Sequence, residues 1–129
     1  MATTHSTAAR NAATDAVTAL IGASGKLAFR LSGTVGSPGT VVATLSLSAT
    51  AFPAAVSGTA TANAISADTN ATGNASPVAT ATLQTSAGTV VIHCAVAASA
   101  SDINMTNGLT VAAGDTVSCS SLTYTALSA

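Results

Sequence analysis

The hydrophobic and polar positions of the chain follow a helical period at first and a strand period afterwards. In residues 6–21, STAARNAATDAVTALI, apolar side chains recur at helical spacing: Ala9, Ala13, Ala16, Val17, Leu20 and Ile21. Ser6 or Thr7 can cap the start of this helix, and Gly22 is placed to end it. Because the apolar stripe is narrow and half of it is Ala, we expect the helix to dock on its own sheet or on a neighbouring subunit.

Alternation of apolar and polar residues after the helix predicts β-strands. In KLAFRLS, the side chains of Leu27, Phe29 and Leu31 share one face, which predicts a half-buried strand. The segment TVVATLSLS follows a Gly-rich loop at 33–39 and predicts a second strand. Its expected inward residues are Val41, Ala43, Leu45 and Leu47. Pro53 then breaks the alternation, as at a sheet edge or a turn.

Further strand signals continue towards the C-terminal end. The segment TATANAI predicts a short strand of small residues, and residues 66–77 are typical of an exposed loop. VATATLQT and TVVIHCAV flank Ser86-Ala87-Gly88, which predicts a β-hairpin. A short strand is expected around Ile103. Finally, LTVAAGDTVSCSSLTYTAL predicts strand, turn and strand, with a bulge near Ser120-Ser121.

This succession of one helix and about eight short strands favours an all-β fold. We expect a jelly-roll or other β-sandwich with one N-terminal α-helix. The length of 129 residues fits a single core. Within it we assign residues 1–24 to an N-terminal arm and helix, and residues 25–129 to the β-sandwich domain.

The composition excludes several classes of partner. Only 5% of the residues are charged, against roughly 25% in an ordinary soluble protein. Three Lys and Arg residues cannot neutralise a row of phosphates, so we expect no nucleic-acid partner. The same scarcity argues against binding to anionic membranes.

The composition also favours an assembled state of the protein over a free monomer. With two Phe, one Tyr and no Trp, the buried core is expected to be thin. A thin core with little surface charge favours a protein bound to copies of itself or to a larger surface. The alternative is a moderately stable monomer whose surface is coated with Thr and Ser.

No export signal or membrane-spanning segment is expected from the sequence. No basic region followed by an apolar stretch opens the chain, and Thr and Ser interrupt every apolar segment. Without an export signal, Cys94 and Cys119 are expected to be free, buried thiols rather than a disulfide.

Few residues could carry catalysis or bind a metal. All four acidic residues are Asp, and three of them lie in turn signals, where an Asp accepts from nearby backbone: Asp68, Asp102 and Asp115. His93 and Cys94 are adjacent on a predicted strand, so they point to opposite faces and cannot form a nucleophilic pair. We therefore expect no enzymatic activity, no cofactor and no metal site.

Three stretches carry a resemblance to a known group of proteins. They are ARNAATDAVTALIGASGKLAFRLSG, then VVATLSLSATAFPAAVSGTATANAISADTNATGNA, and last GTVVIHCAVAASASDINMTNGLTVAAGDTVSCSSLTYT. In this order they resemble the jelly-roll cement or decoration proteins of tailed-bacteriophage capsids. The chain departs from that pattern at TATLQT, where an aromatic residue is common, and at His93-Cys94, where a polar residue such as Asp is common. These departures concern the packing of the core.

The resemblance implies a structural role in the virion. Such a protein binds the outside of an icosahedral head, bridges neighbouring subunits of the major capsid protein and resists the pressure of the packaged DNA. It is assembled in the host cytoplasm, and it has no catalytic site. It also implies self-association, for which we expect a homodimer in preference to a trimer.

We expect the surface that contacts the capsid to lie on two segments. One is the N-terminal helix with Arg10, Asp15 and Val17. The other is the loop around Phe52 and Pro53, where the broken alternation is expected to turn the Phe52 side chain outward. The alternative is that both segments simply pack on the sandwich.

Other functions remain open on the sequence. The runner-up is a β-structural protein associated with the phage tail or a fibre. A surface adhesin or carbohydrate-binding domain is a third possibility, although it would need an export signal and exposed aromatic residues. An enzyme is disfavoured, since no set of titratable residues converges.

Overall fold

Helix and strand bounds are taken from a computed structural model of the chain, which describes residues 3–127. Over this range the protein is mostly β, with one helix and seven strands. The elements are α1 (Thr7–Ile21), β1 (Lys26–Arg30), β2 (Val41–Ser46), β3 (Thr59–Thr61), β4 (Thr80–Gln84), β5 (Val90–Ala97), β6 (Ile103–Asn104) and β7 (Thr123–Thr125). None of the helical structure in residues 3–127 is long and apolar enough to cross a membrane.

Helix α1 begins and ends where the sequence predicts. Ser6 lies in an extended conformation, and its hydroxyl oxygen accepts a 3.1 Å hydrogen bond from the backbone N–H of Ala9. At the other end Gly22 has φ 71°, and its N–H donates to the carbonyl of Ala19. Both ends therefore use the usual cap chemistry, Ser at the start and Gly at the end.

Five strands form the main sheet in the order β2-β1-β4-β5-β6. The pairs β1–β2, β1–β4 and β4–β5 are antiparallel, whereas β5 and β6 are parallel. Strands β4 and β5 form the predicted hairpin, whose turn is closed by a bond from the N–H of Gly88 to the carbonyl of Thr85. The short strand at Ile103 is also confirmed, as β6.

Strand β1 differs from the half-buried strand that the alternation predicts. Leu27 and Phe29 are buried as expected, but Ala28 and Arg30 on the opposite face are buried too. Between Phe29 and Arg30 the register against β2 shifts by one residue. This bulge makes Val42, rather than the expected Val41, fully buried.

The core is almost entirely aliphatic. Its largest fully buried side chains, in chain order, are those of Ile21, Leu27, Val42, Leu45, Val78 and Leu83. These residues come from the helix end, the central strands and the segment just before β4, so one core joins the helix to the sheet. Aromatic rings add only Phe29 and Phe52 as buried members.

Residues 62–74 and 109–122 run antiparallel to each other, and we call this pair the ribbon. The backbone hydrogen bonds along it join Ala62 to Leu122, Asp68 to Val117, Ala71 to Asp115 and Asn74 to Val111. One end of the ribbon continues into the regular two-stranded sheet β3–β7. The expected longer strands in 59–65 and 109–127 are thus regular only at β3 and β7. The bonds in between are too widely spaced to form a ladder.

The ribbon extends the main sheet beyond β2. The N–H of Ser66 donates to the carbonyl of Ser46, and the N–H of Gly73 donates to that of Val42. Residues 62–74 therefore lie beside β2, and residues 109–122 lie beyond them. The curled arrangement ends in two free edges, β6 on one side and residues 109–122 on the other.

Candidate interaction surfaces

Helix α1 packs on the β structure through its polar face. The buried residues of the helix are Thr14, Thr18 and Ile21. Of the six apolar residues that were expected to form the docking stripe, only Ile21 is buried. Ala9, Ala16 and Leu20 are exposed, while Ala13 and Val17 are half-buried. The outward stripe of α1 thus consists of Ala9, Ala16 and Leu20, and Leu20 is 66% exposed.

Polar side chains of α1 satisfy backbone groups of the loop at 55–58. Thr14 Oγ1 donates to the carbonyl of Gly58 at 2.6 Å, and Asn11 Oδ1 accepts from the N–H of Gly58 at 2.7 Å. Asp15 Oδ1 accepts from the N–H of Ala55 at 2.8 Å. These bonds fix the helix against a loop whose backbone would otherwise be buried without partners.

Arg10 ties the same loop to the C-terminal end of the described chain. Its Nη2 donates to the carbonyl of Ser57 at 2.9 Å, and its Nε donates to that of Leu127 at 3.2 Å. Gly58 has φ +82°, and a Cβ there would lie 2.9 Å from Arg10 Nε. A side chain at this position would be strained by the backbone conformation, and it would displace the Arg10 side chain from the loop.

Phe52 is buried, so the expectation that it points outward is wrong. Its side chain is 9% exposed and belongs to the core together with Ala51 and Ala55. Pro53 and Ala54 are the exposed residues of this loop. The large apolar ring of Phe52 gains more from burial than the smaller side chains of Pro53 and Ala54 would.

A shallow groove of about 340 Å³ separates α1 from residues 49–54. Asp15, Phe52 and Pro53 all line this groove, whereas Arg10 and Val17 are not among its lining residues. The structure thus brings three of the five expected contact residues to one place. Their role in binding a partner stays a prediction.

A larger cleft of about 610 Å³ lies between the two free edges of the sheet, and we call it the seam. Its walls come from residues 102–108 on the β6 side and residues 115–123 on the ribbon side. Phe29 of β1 also lines it. The lining is dominated by hydroxyl, amide and small apolar groups, with Asp102 and Asp115 as its charged residues.

All four carboxylates accept hydrogen bonds from backbone N–H groups. Besides Asp15, Asp68 accepts from Thr44 and Asn70, Asp102 from Ala95, and Asp115 from Ala112. The bonds of Asp68 to Asn70 and of Asp115 to Ala112 are the local turn bonds that the sequence predicts. Within residues 3–127 no group of three or more His, Cys, Asp or Glu is placed to hold a metal ion.

The sequence neighbours His93 and Cys94 lie on opposite faces of β5. His93 is paired with Thr82 and Cys94 with Ala81, across the β4–β5 ladder. Burial, aided by the nearby Asp102 charge, raises the pKa of the Cys94 thiol to about 11. The Cys94 thiol is therefore protonated at neutral pH, and it is unreactive there because only the thiolate is a good nucleophile.

Both cysteines are free, as expected, but they are half-buried rather than fully buried. Burial also raises the pKa of the Cys119 thiol. Its Sγ contacts the carbonyl of Ser121 at 3.4 Å. The Nε2 atom of His93 is the one buried side-chain polar atom in the described part of the chain that has no hydrogen-bond partner.

A buried polar network covers the face of the main sheet opposite the core, and alternation alone did not indicate it. Arg30 donates from Nε to Thr82 Oγ1 at 3.1 Å and from Nη2 to Gln84 Oε1 at 3.0 Å. Its Nη1 donates to the carbonyl of Gly39 at 2.6 Å. All these partners are neutral, so the guanidinium binds the sheet and the 33–39 loop through dipoles rather than an ion pair.

Compared with known proteins, the chain matches no protein family, no curated protein sequence and no solved structure.

Proposed function

We propose that the protein is a non-catalytic structural component of a phage virion. In this role it binds the outside of the icosahedral capsid and cements neighbouring subunits of the major capsid protein. The proposal includes a jelly-roll topology for the β part, for which the alignment of the ribbon beside β2 is the support. It also includes self-association, as a homodimer rather than a trimer.

The proposal rests on the hydrogen-bond partners of the charged side chains. All four carboxylates, together with Arg10 and Arg30, bind backbone or neutral side-chain groups of the same chain. The exposed positions are mainly Ala, Ser and Thr, with Leu20, Val35 and Val56 as exposed large apolar residues. Such a surface can contact another protein without stripping water from charges.

The expected mechanism is stabilisation by mass action. A protein that binds only the assembled shell shifts the equilibrium towards that shell. Each contact can be weak, because many symmetry-related copies act together and each copy that bridges two subunits adds avidity. No catalytic group is needed for this role.

Two surfaces suit the contact with the shell. The outward apolar stripe of α1 is the first, since its Leu20 is exposed. The groove lined by Asp15, Phe52 and Pro53 is the second. Both lie along the same helix, so one partner surface can cover the two together.

The test is the copy number and location of this chain in purified phage particles. Quantitative mass spectrometry gives the copy number, and a cryo-EM map of the head gives the location. Many copies on the outer head surface support the proposal. A few copies confined to the tail would favour the tail or fibre alternative, and absence from particles would overturn both.

A further inference from the structure

Asn107 and Gly108 form the one Asn-Gly pair of the sequence, and they lie in a turn that follows β6. Both residues are exposed, and both line the seam. Gly108 has φ +107°, and a Cβ built on it would meet no atom within 4 Å. The pair is therefore open to water, with free space around the glycine.

No hydrogen bond restrains the reactive groups of this pair. Within residues 3–127, the side-chain amide of Asn107 has no hydrogen-bond partner, and the N–H of Gly108 donates to no acceptor. These two groups are adjacent along the chain, so the main-chain nitrogen of Gly108 is the nucleophile nearest to the side-chain carbonyl carbon of Asn107. Neither group must break a bond before the two can meet.

The other asparagines lack this combination. Asn104 Oδ1 accepts from the N–H of Ser101 at 3.0 Å. Asn70 is exposed, but the N–H of the next residue, Ala71, donates to the carbonyl of Asp115 at 3.0 Å. The side chains of the remaining three are hydrogen-bonded to backbone: Asn11, Asn63 and Asn74. At each of these sites the amide or the following nitrogen is already engaged.

We propose that Asn107 is a site of spontaneous deamidation in the folded protein. The nitrogen of Gly108 bonds to Cγ of Asn107, and the side-chain NH2 leaves with the proton of that nitrogen as ammonia. The product is a five-membered succinimide ring. Glycine favours this step because it has no Cβ to hinder the approach and its backbone adopts many conformations. Asn is for this reason among the thermolabile residues of proteins.

Water then opens the ring, and no enzyme or cofactor is needed. Addition at Cγ breaks its bond to the nitrogen and gives aspartate at position 107. Addition at the main-chain carbonyl breaks the other bond and gives isoaspartate, in which the chain continues through the side chain. The nitrogen regains its proton from the water in either case. The ammonia is lost, so the original amide does not return.

Deamidation would change the charge of the seam. A carboxylate at position 107 would join Asp102 and Asp115, which are the charged residues of the lining. One further negative charge, added to the net charge of −1, gives −2. A wall of the seam that offers a neutral amide in new protein thus becomes anionic in aged protein.

The fold is placed to tolerate this change. On one side of the turn the N–H of Met105 donates to the carbonyl of Ala97, and on the other the carbonyl of Leu109 accepts from the N–H of Val78, both at 2.8 Å. The added main-chain methylene of isoaspartate lies between these two anchors, in the exposed turn. We therefore expect aged protein to stay folded.

The test is to age purified folded protein in mildly alkaline buffer and to map each Asn by mass spectrometry. A protease that cleaves before Asp releases residues 102–114, which contain both Asn104 and Asn107. Electron-based fragmentation then distinguishes aspartate from isoaspartate. We expect Asn107 to convert at least about tenfold faster than Asn104, a difference of about 1.4 kcal/mol in activation free energy. Isoaspartate should be among the products, since it forms only through the ring.

Ala71→Gly is the matched control that separates structure from sequence. It makes residues 69–71 read Thr-Asn-Gly, as residues 106–108 do, while the N–H at position 71 stays bonded to Asp115. In the folded variant, Asn70 should convert at least about tenfold more slowly than Asn107. In guanidinium chloride, which unfolds the chain, the two sites should convert at similar rates. Circular dichroism checks that the variant is folded.

A second readout is the charge of the intact protein. Ageing should produce a more acidic form on ion exchange, and Asn107→Gln should prevent most of it, because the longer side chain would have to close a larger ring. An Asn107 that stays an amide in the folded protein while the unfolded chain converts would overturn the inference. Conversion without isoaspartate, or equal rates at Asn70 and Asn107 in the folded Ala71→Gly protein, would overturn it as well. The inference goes beyond the proposed function and does not depend on it.

Discussion

Thr14 of α1 is fully buried, and its hydroxyl donates a 2.6 Å hydrogen bond to the carbonyl of Gly58. The same oxygen accepts from the N–H of Ala126 at 3.1 Å. One side chain therefore joins the helix, the loop at 55–58 and the C-terminal segment. The helix is held by hydrogen bonds to backbone groups where an apolar face would ordinarily be used.

Thr14→Val should destabilise the fold although it keeps the shape of the side chain. The substitution leaves the buried Gly58 carbonyl and the half-buried Ala126 N–H without partners, which costs about 1–3 kcal/mol. Urea unfolding followed by circular dichroism measures the free energy of unfolding. Thr14→Ser, which keeps the hydroxyl, should recover most of the loss. Equal stability of the Val variant and the wild type would show that these bonds contribute nothing.

This arrangement explains which parts of the helix could be predicted from the sequence. Its ends follow from local chemistry, since the Ser6 cap and the Gly22 stop need only neighbouring backbone atoms. The buried face could not be predicted, because a count of apolar residues at helical spacing ignores side chains that bind distant backbone. Thr14 and Thr18 are buried for that reason, and the Leu20 side is exposed.

In the sheet, the strands were predictable from alternation but their exact burial was not. The hairpin of β4 and β5 is local, so its Gly88 turn could be identified. The burial of Val42 depends on a bulge between Phe29 and Arg30, which is set by the pairing with β2.

Arg30→Lys should lower the stability of the protein by about 1–3 kcal/mol. A lysine ammonium cannot reproduce the forked geometry that reaches Thr82, Gln84 and the Gly39 carbonyl together. Thermal and chemical unfolding would measure the loss. Lys26→Arg, a change of the same type on the half-buried first residue of β1, is the control and should have little effect. A fully stable Arg30→Lys protein would argue against a structural role for the network.

His93→Leu should leave stability unchanged or raise it by up to about 1 kcal/mol. The Nε2 atom of His93 is buried without a partner, and an apolar replacement removes the cost of burying an unpaired polar group. His93→Gln keeps a polar group at the site and should give no gain. Marked destabilisation by Leu alone would mean that the imidazole has a partner, such as a bound water, that stabilises the fold.

Cys94 should react slowly with iodoacetamide at neutral pH in the folded protein. Its pKa of about 11 keeps the thiol protonated, so the labelling rate should rise as the pH approaches that value. The folded-state pKa lies above the ordinary value of 9.0. The burial of the neutral thiol therefore favours the folded state fully below pH 9, and this contribution is lost as the pH rises through about 11. Mass spectrometry of C119S, with the denatured protein as reference, isolates this residue; equally fast labelling in both states would contradict the prediction.

Leu20→Lys should weaken binding to the phage head without altering the fold, provided that the outward stripe of α1 contacts the shell. Burying a leucine contributes about 1.5–3 kcal/mol, which corresponds to roughly 10- to 150-fold in affinity. Because Leu20 is 66% exposed, the free energy of unfolding should stay within about 0.5 kcal/mol of the wild type.

Val35→Lys is the matched control, since Val35 is also an exposed apolar residue but lies in the 33–39 loop, away from the helix. Binding of labelled protein to heads that lack it measures both variants. Equal loss with the two substitutions would point to a general effect of charge, and no loss with Leu20→Lys would assign the contact to another surface.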